Sequence, residues 1–155
     1  MSSVTGVEPF AVLAGSDRFA SPVNFLNGRF DCKVSSKDTG GALCVFDTYR
    51  FKQGGPPVHL HLDQDEWFLV LDGEFRFQVG EQMHHLRAGD SIFGPRGVPH
   101  AFRNLTDSAQ LMVTFLPAGT MEGFFASEMV DPLSQEFRDL SRRHGMIVVG
   151  PPLAP

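Results

Sequence analysis

The chain has 155 residues, of which 42% are hydrophobic and 20% are charged, which excludes a disordered chain, a collagen and a coiled coil. Thirteen Lys and Arg residues against 18 Asp and Glu residues give a net charge of −5, so no basic excess points to nucleic acid. No apolar run is long enough to span a bilayer, and no basic stretch precedes the short apolar run near the N-terminus. We therefore expect one cytoplasmic domain over residues 1–155 that does not act on membranes or nucleic acid.

Short apolar runs separated by Gly and Pro residues predict an all-β fold, either a sandwich or a barrel. The predicted strands, in chain order, cover residues 30–35, 42–51, 58–62, 66–71, 74–79, 82–86, 91–93, 100–104 and 109–115. Asp72-Gly73 predicts a type I′ hairpin between two of these strands, and Gly80-Glu81 predicts a second tight turn. Both faces of the strand at 66–71 are apolar, so an arm of the chain or another subunit must cover its outer face.

The hydrophobic period changes to a helical one after residue 120. A helix over 132–144 is predicted, with Asp131 as its N-cap, Pro132 at the first position and Gly145 after its end. A shorter helix over 121–129 would have Thr120 as its N-cap, and residues 146–149 are predicted to add an edge strand. The 15 phenylalanines, against one Trp and one Tyr, predict a well-filled interior that includes a hydrophobic pocket.

Two stretches of the chain carry side chains that bind metals. His59 and His61 lie two apart on a predicted strand, so both imidazoles leave the same face. A tight turn would then bring Glu66, at the head of the next strand, beside them. Further on, a Pro-x-Gly turn precedes a new strand that begins at His100. Phe102 and Asn104 lie on the same face of that strand as His100.

These stretches resemble the two motifs of the cupin superfamily. The first, H-x-H, three or four residues, E, six residues and G, is met by His59, His61, Glu66 and Gly73. The second, G-x5-P-x-G-x2-H-x3-N, is met by Gly89, Pro95, Gly97, His100 and Asn104. Gly54 departs from the pattern, since it lies one residue nearer the first His than the family's leading glycine. The Phe-Phe pair in the predicted short helix and the closing Gly-Pro-Pro resemble the quercetin-dioxygenase-like branch of one-domain cupins.

The resemblance implies a jelly-roll β-barrel, also called a double-stranded β-helix, that often forms homodimers. Its core would cover about residues 28–117, with an N-terminal arm at 1–27 and a helical tail at 118–155. It also implies that one divalent transition metal (Fe, Mn, Ni, Cu, Co or Zn) is bound by His59, His61, Glu66 and His100. Glu66 would serve as both ligand and general base, and strand parity makes Phe68, Phe102 and Asn104 either pocket or core residues.

Three functions are compatible with this pattern. The first is a metal-dependent dioxygenase acting on a flavonol-like or other small enolic substrate, which the branch resemblance favours. The second is an isomerase or cyclase that uses its metal only as a Lewis acid. The third is a non-catalytic module that binds a small molecule. The fold does not choose among them, because one scaffold supports many chemistries.

Overall fold

The structure is a computed structural model that describes residues 6–155. Its elements, in chain order, are β1 (Val23–Phe25), β2 (Gly28–Val34), α1 (Ser36–Thr39), β3 (Cys44–Arg50), β4 (Pro57–His61), β5 (Asp65–Asp72), β6 (Glu74–Val79), β7 (Gln82–Arg87), β8 (Ser91–Gly94), β9 (His100–Asn104), β10 (Ala109–Leu116), α2 (Met121–Phe125), α3 (Gln135–Arg143) and β11 (Met146–Pro152). One antiparallel sheet has the order β1-β2-β3-β10-β5-β8, and the other has the order β11-β4-β9-β6-β7. The all-β jelly-roll prediction is confirmed. No helix among residues 6–155 is long and apolar enough to cross a membrane.

Phenylalanine rings fill the space between the sheets. Phe68, Phe75 and Phe77 are fully buried, and the Phe68 and Phe77 rings lie 5.0 Å apart although they come from different sheets. A second group of rings surrounds Phe125, whose centroid lies 4.7 Å from that of Phe30. Tilted and edge-on pairs such as these contribute about 0.5–1.5 kcal/mol each beyond the burial of their area. The predicted aromatic interior is therefore present, and it surrounds the region between β4 and β5 where the candidate site lies.

The hairpin predicted at Asp72-Gly73 is wrong. β5 belongs to the six-stranded sheet and β6 to the five-stranded one, so the chain crosses between sheets at Gly73. Gly73 has φ 77°, and a Cβ there would lie 2.5 Å from Oγ1 of Thr106. The glycine is thus required by its packing against the loop between β9 and β10. By contrast, the turn at Gly80-Glu81 is confirmed, because Val79 pairs directly with Gln82 in a β6–β7 hairpin.

Both C-terminal helices are shorter than predicted. The N-cap of α3 is Ser134, whose Oγ accepts a hydrogen bond from the Phe137 N–H at 3.1 Å. Asp131 instead accepts from the Leu133 N–H in the turn before the helix. Both Asp131 and Ser134 have side chains that can cap a helix, and here the later of the two does so. Thr120 makes no side-chain cap bond to α2, which ends at Phe125; its hydroxyl contacts Nδ1 of His144.

The C-terminal strand β11 lies beside β4, the strand that carries two of the candidate metal ligands. β11 pairs antiparallel with β4, placing Met146 opposite His61 and Val148 opposite His59. The predicted edge strand is therefore present, and it continues to Pro152. α2 and α3 precede it and contribute Phe124 and Phe137 to the aromatic interior. Two elements, β1 and α1, were not predicted from the sequence.

Candidate metal centre

Four side chains from three strands meet between the two sheets. His59 and His61 extend from β4, His100 lies on β9 directly opposite His59, and Glu66 comes from β5 in the other sheet. One ligand atom from each lies within 4.8 Å of all the others. His61 and His100 are 2% exposed and Glu66 is 5% exposed. The four residues singled out as metal ligands are thus brought together, although Glu66 arrives across the barrel and not on a strand paired with β4.

A hydrogen bond at Nδ1 orients each imidazole. Nδ1 of His59 lies 2.8 Å from the Pro57 carbonyl oxygen, and Nδ1 of His100 lies 3.3 Å from that of Val98. Nδ1 of His61 lies 3.0 Å from Oε1 of Gln64. All three partners are oxygen acceptors, so in each neutral ring Nδ1 carries the proton and Nε2 presents its lone pair to the site.

The atoms that face the centre of the site have no hydrogen-bond partner outside it. Oε2 of Glu66 lies 3.2 Å from Nε2 of His61 and 2.9 Å from Nε2 of His100, and all three atoms are buried. With Nδ1 holding the proton of each neutral ring, lone pairs would face lone pairs across these short distances unless a proton or a metal ion lies between them. A cation removes this conflict, and three imidazoles with one carboxylate suit a divalent transition metal. The residues present therefore fit the metal implied by the sequence.

Two of these ligands are electrostatically held in the form that binds a metal. Burial alone would raise the pKa of Glu66, but the facing charges of His100 and His61 hold that pKa well below its usual range. Burial lowers the pKa of His59 to about 3, assisted by His100 and His61, so its ring is neutral. Burial would also lower the pKa of His61, yet the charge of Glu66 and hydrogen bonds with Glu66 and Gln64 raise it overall.

A narrow cavity opens beside His59, His61 and Glu66. About 60 Å³ of it is accessible to water-sized molecules. Its walls are mainly apolar and rich in phenylalanine, from both sheets and from the C-terminal helices. They include Phe25, Phe30, Phe102, Phe115, Phe124, Phe125 and Phe137. A ligand at the metal centre would be surrounded by apolar surface and largely shielded from water.

The three sequence-derived pocket candidates occupy different places. Phe102 lines the cavity. Phe68 is fully buried behind it, with its ring 5.7 Å from those of both Phe102 and His100. Asn104 is also fully buried, and its amide donates to the carbonyl oxygens of Lys52 and Thr106. Phe68 and Asn104 thus support the cavity wall from behind.

Sequence reasoning missed two residues at this site. Gln64 lies in a turn that reads as an ordinary solvated loop, and nothing in the sequence shows that its amide reaches His61. Arg50 lines the cavity and is only 2% exposed. The inward orientation of Arg50 could be predicted from the sequence, because Arg50 shares strand parity with Cys44, Phe46 and Thr48.

Part of the chain is similar to a known family and to several known proteins. Residues 48–117 match the family described as "Cupin domain". Quercetin 2,3-dioxygenase of Bacillus subtilis is 34% identical over 56 residues, which are 36% of this chain and 17% of that protein. The matches to two other curated relatives, both uncharacterized, span about half of their lengths.

Solved structures share the fold. An RmlC-like cupin from Shewanella frigidimarina superposes with a TM-score of 0.54 at 25% identity, covering 63% of this chain and 84% of that one. A variant of oxalate decarboxylase from B. subtilis superposes with a TM-score of 0.58 at 17% identity, covering 66% of this chain and 29% of that one. The second likeness concerns the fold alone.

Proposed function

We propose that the chain, whose residues 48–117 match the cupin domain family, is a metal-dependent dioxygenase acting on a flavonol-like or other small enolic substrate. His59, His61, Glu66 and His100 would hold the metal. The observation that carries the proposal is the convergence of buried atoms that have no partner outside the site: Nε2 of His61 and of His100 lie within 3.2 Å of Oε2 of Glu66. The match to quercetin 2,3-dioxygenase, limited to 56 residues, favours this chemistry over others that the fold supports.

The chain's own residues would bind the enol and hold its proton. A bound metal supplies Lewis acidity and, where it is redox-active, a place for O₂ to react with an enolate. Glu66 accepts the proton of the enol hydroxyl at one carboxylate oxygen. Its lowered pKa makes it a weak base, and a bound metal would compensate by making the enol more acidic. Both oxygen atoms of O₂ enter the product of a dioxygenase, so no separate reductant is required.

The cavity favours the smaller members of the enolic class. About 60 Å³ of it is accessible to water-sized molecules, so a tricyclic flavonol would require a larger expansion of the cavity than an acyclic or single-ring enol. Phe124 and Phe137, from α2 and α3, form part of the wall. A flavonol would require these helices to move away from the sheets. We therefore place a small diketone or β-keto acid ahead of a flavonol.

The test combines metal content with oxygen uptake. Freshly purified protein is analysed for bound metals and then assayed with an O₂ electrode on acetylacetone and on quercetin. We expect uptake that depends on the metal and that disappears in Glu66→Gln, while His84→Ala, a change on the outer hairpin, retains it. Absence of uptake with every enol tested would refute the dioxygenase. Turnover without O₂ would identify the isomerase or cyclase, and ligand binding unchanged by a chelator would identify a binding module.

We also propose that two copies of the chain form a homodimer through the outer face of the six-stranded sheet. Trp67 and Phe93 are paired neighbours on this face, and they are 36% and 51% exposed. Leu69 and Leu71 extend the same apolar surface along β5. Sedimentation equilibrium should give a dimer for the natural chain and a monomer for Trp67→Arg. A monomeric natural chain at high micromolar concentration would refute the proposal.

A further inference from the structure

A positive charge is buried in the same cavity as the metal ligands. Arg50 points inward from β3 and is 2% exposed. Its Nη1 donates to Oδ1 of Asn27 at 3.1 Å and its Nη2 to Oγ1 of Thr48 at 3.2 Å. Its Nε is buried without a hydrogen-bond partner. Both acceptors are neutral, and no acidic side chain among residues 6–155 forms a salt bridge with this guanidinium.

Two phenylalanine rings contact the Arg50 guanidinium and leave N–H groups at its edge for a ligand. The Cζ atom lies 5.0 Å from the ring centroid of Phe30, in one sheet, and 5.0 Å from that of Phe102, in the other. Contacts with ring faces stabilise the cation. They do not satisfy N–H groups, and a guanidinium has five of these in a planar fork. Two of the five N–H groups are used by Asn27 and Thr48.

We propose that Arg50 is the anion-binding residue of the cavity and that the substrate carries a carboxylate, or another planar anion of similar size, on an apolar body. The proposal deepens the proposed function, on which its description of the ligand as a substrate rests. Arg50 would form charge-assisted hydrogen bonds to the carboxylate through Nε and a free Nη hydrogen. The Phe-lined wall would contact the apolar body, and the enolic part would lie toward His59, His61 and Glu66.

The charges of the site support this assignment. Oε2 of Glu66 lies within 3.2 Å of Nε2 of both His61 and His100 and forms no salt bridge with Arg50, and burial alone lowers the pKa of Arg50, to about 9. Glu66 is therefore engaged at the metal centre and does not neutralise Arg50, which remains a cation at neutral pH. A buried cation without a counter-ion is costly, and an anionic ligand removes that cost. A neutral ligand of the same shape would leave it in place.

Benzoate and benzamide provide a matched pair of probes, because they have nearly the same shape and differ in charge. Calorimetric titration measures their dissociation constants with zinc-loaded and chelator-treated protein. We expect benzoate to bind about 10- to 100-fold more tightly than benzamide, the range for a charge-assisted pair in a buried site. Arg50→Met should abolish the preference, and Arg50→Lys should restore part of it. Arg87→Met, which removes one exposed positive charge from β7, should leave it unchanged.

The variants separate the failure of this inference from the failure of the proposed function. His61→Ala disrupts the metal centre and leaves Arg50 in place, so it should keep the preference for benzoate. A preference lost in His61→Ala but kept in Arg50→Met would show that the anion binds the metal, and it would overturn the inference. A preference that persists in a protein without affinity for metals would refute the metal-dependent enzyme and support the anion site. Equal binding of the two probes by the folded natural chain would overturn the anion site directly.

Discussion

Oε1 of Gln64 lies 3.0 Å from Nδ1 of His61, and this contact fixes which nitrogen of His61 faces the metal centre. The orientation of the amide is itself determined, since Nε2 of Gln64 donates to the carbonyl oxygens of Pro117 at 2.9 Å and Ala118 at 2.7 Å. Only the other end of the amide can accept from His61. The segment after β10 thereby controls a ligand on β4, although the two are far apart in sequence.

Replacement of Gln64 by leucine should weaken metal binding without removing a ligand. The loss of the acceptor frees the His61 ring to rotate or to change tautomer, and such indirect changes typically reduce metal affinity about 10- to 100-fold. Competition against a chromophoric chelator measures the change. Gln82→Leu is the matched control, because Oε1 of Gln82 contacts Nε2 of the outer His84 at 3.1 Å. Equal affinities in the Gln64 variant and the natural chain would show that Gln64 does not orient His61.

Removal of the Phe125 ring should destabilise the fold strongly. This ring contacts five other phenylalanines, with centroids 4.7–5.8 Å away: Phe25, Phe30, Phe46, Phe115 and Phe124. Phe125→Ala should lower the free energy of unfolding by about 3–5 kcal/mol, as measured by urea denaturation. Phe93→Ala, at an exposed position, should change it by no more than about 0.5 kcal/mol in the monomer. Similar losses in the two variants would contradict the described core.

The carboxylate of Asp38 should give the fold a stability that depends on pH. Burial tends to raise its pKa, but hydrogen bonds from the Ser35 N–H and the Arg18 guanidinium outweigh this and lower it below 3.8. A group with a lowered folded pKa stabilises the fold above its unfolded pKa and loses that effect as the pH falls through the folded value. Asp38→Asn should therefore lower the free energy of unfolding by up to about 1 kcal/mol at neutral pH, the range for a partly exposed ion pair. Thermal unfolding at several pH values should show the two proteins converging below about pH 4, and a constant difference would contradict the pKa assignment.

The sequence predicts the local patterns of this protein well, and it fails where an outcome depends on packing between distant segments. The H-x-H spacing places His59 and His61 on one face of β4, because strand parity is a local property. The sequence predicts a hairpin at Gly73, where the chain instead crosses between the sheets, since a glycine turn within a sheet and one between sheets have the same sequence pattern. The role of Gln64 could not be predicted, because the carbonyl groups that orient its amide belong to Pro117 and Ala118, 53 and 54 residues later in the chain.

Metal analysis of the His61→Ala variant tests the central claim most directly. The natural chain, His61→Ala and the control His84→Ala are purified side by side, metals are quantified by mass spectrometry, and folding is verified by circular dichroism. We predict about one divalent transition metal per chain in the natural protein and in His84→Ala, with most of it lost from a folded His61→Ala. Full metal content in a folded His61→Ala variant would contradict the metal centre described between the two sheets.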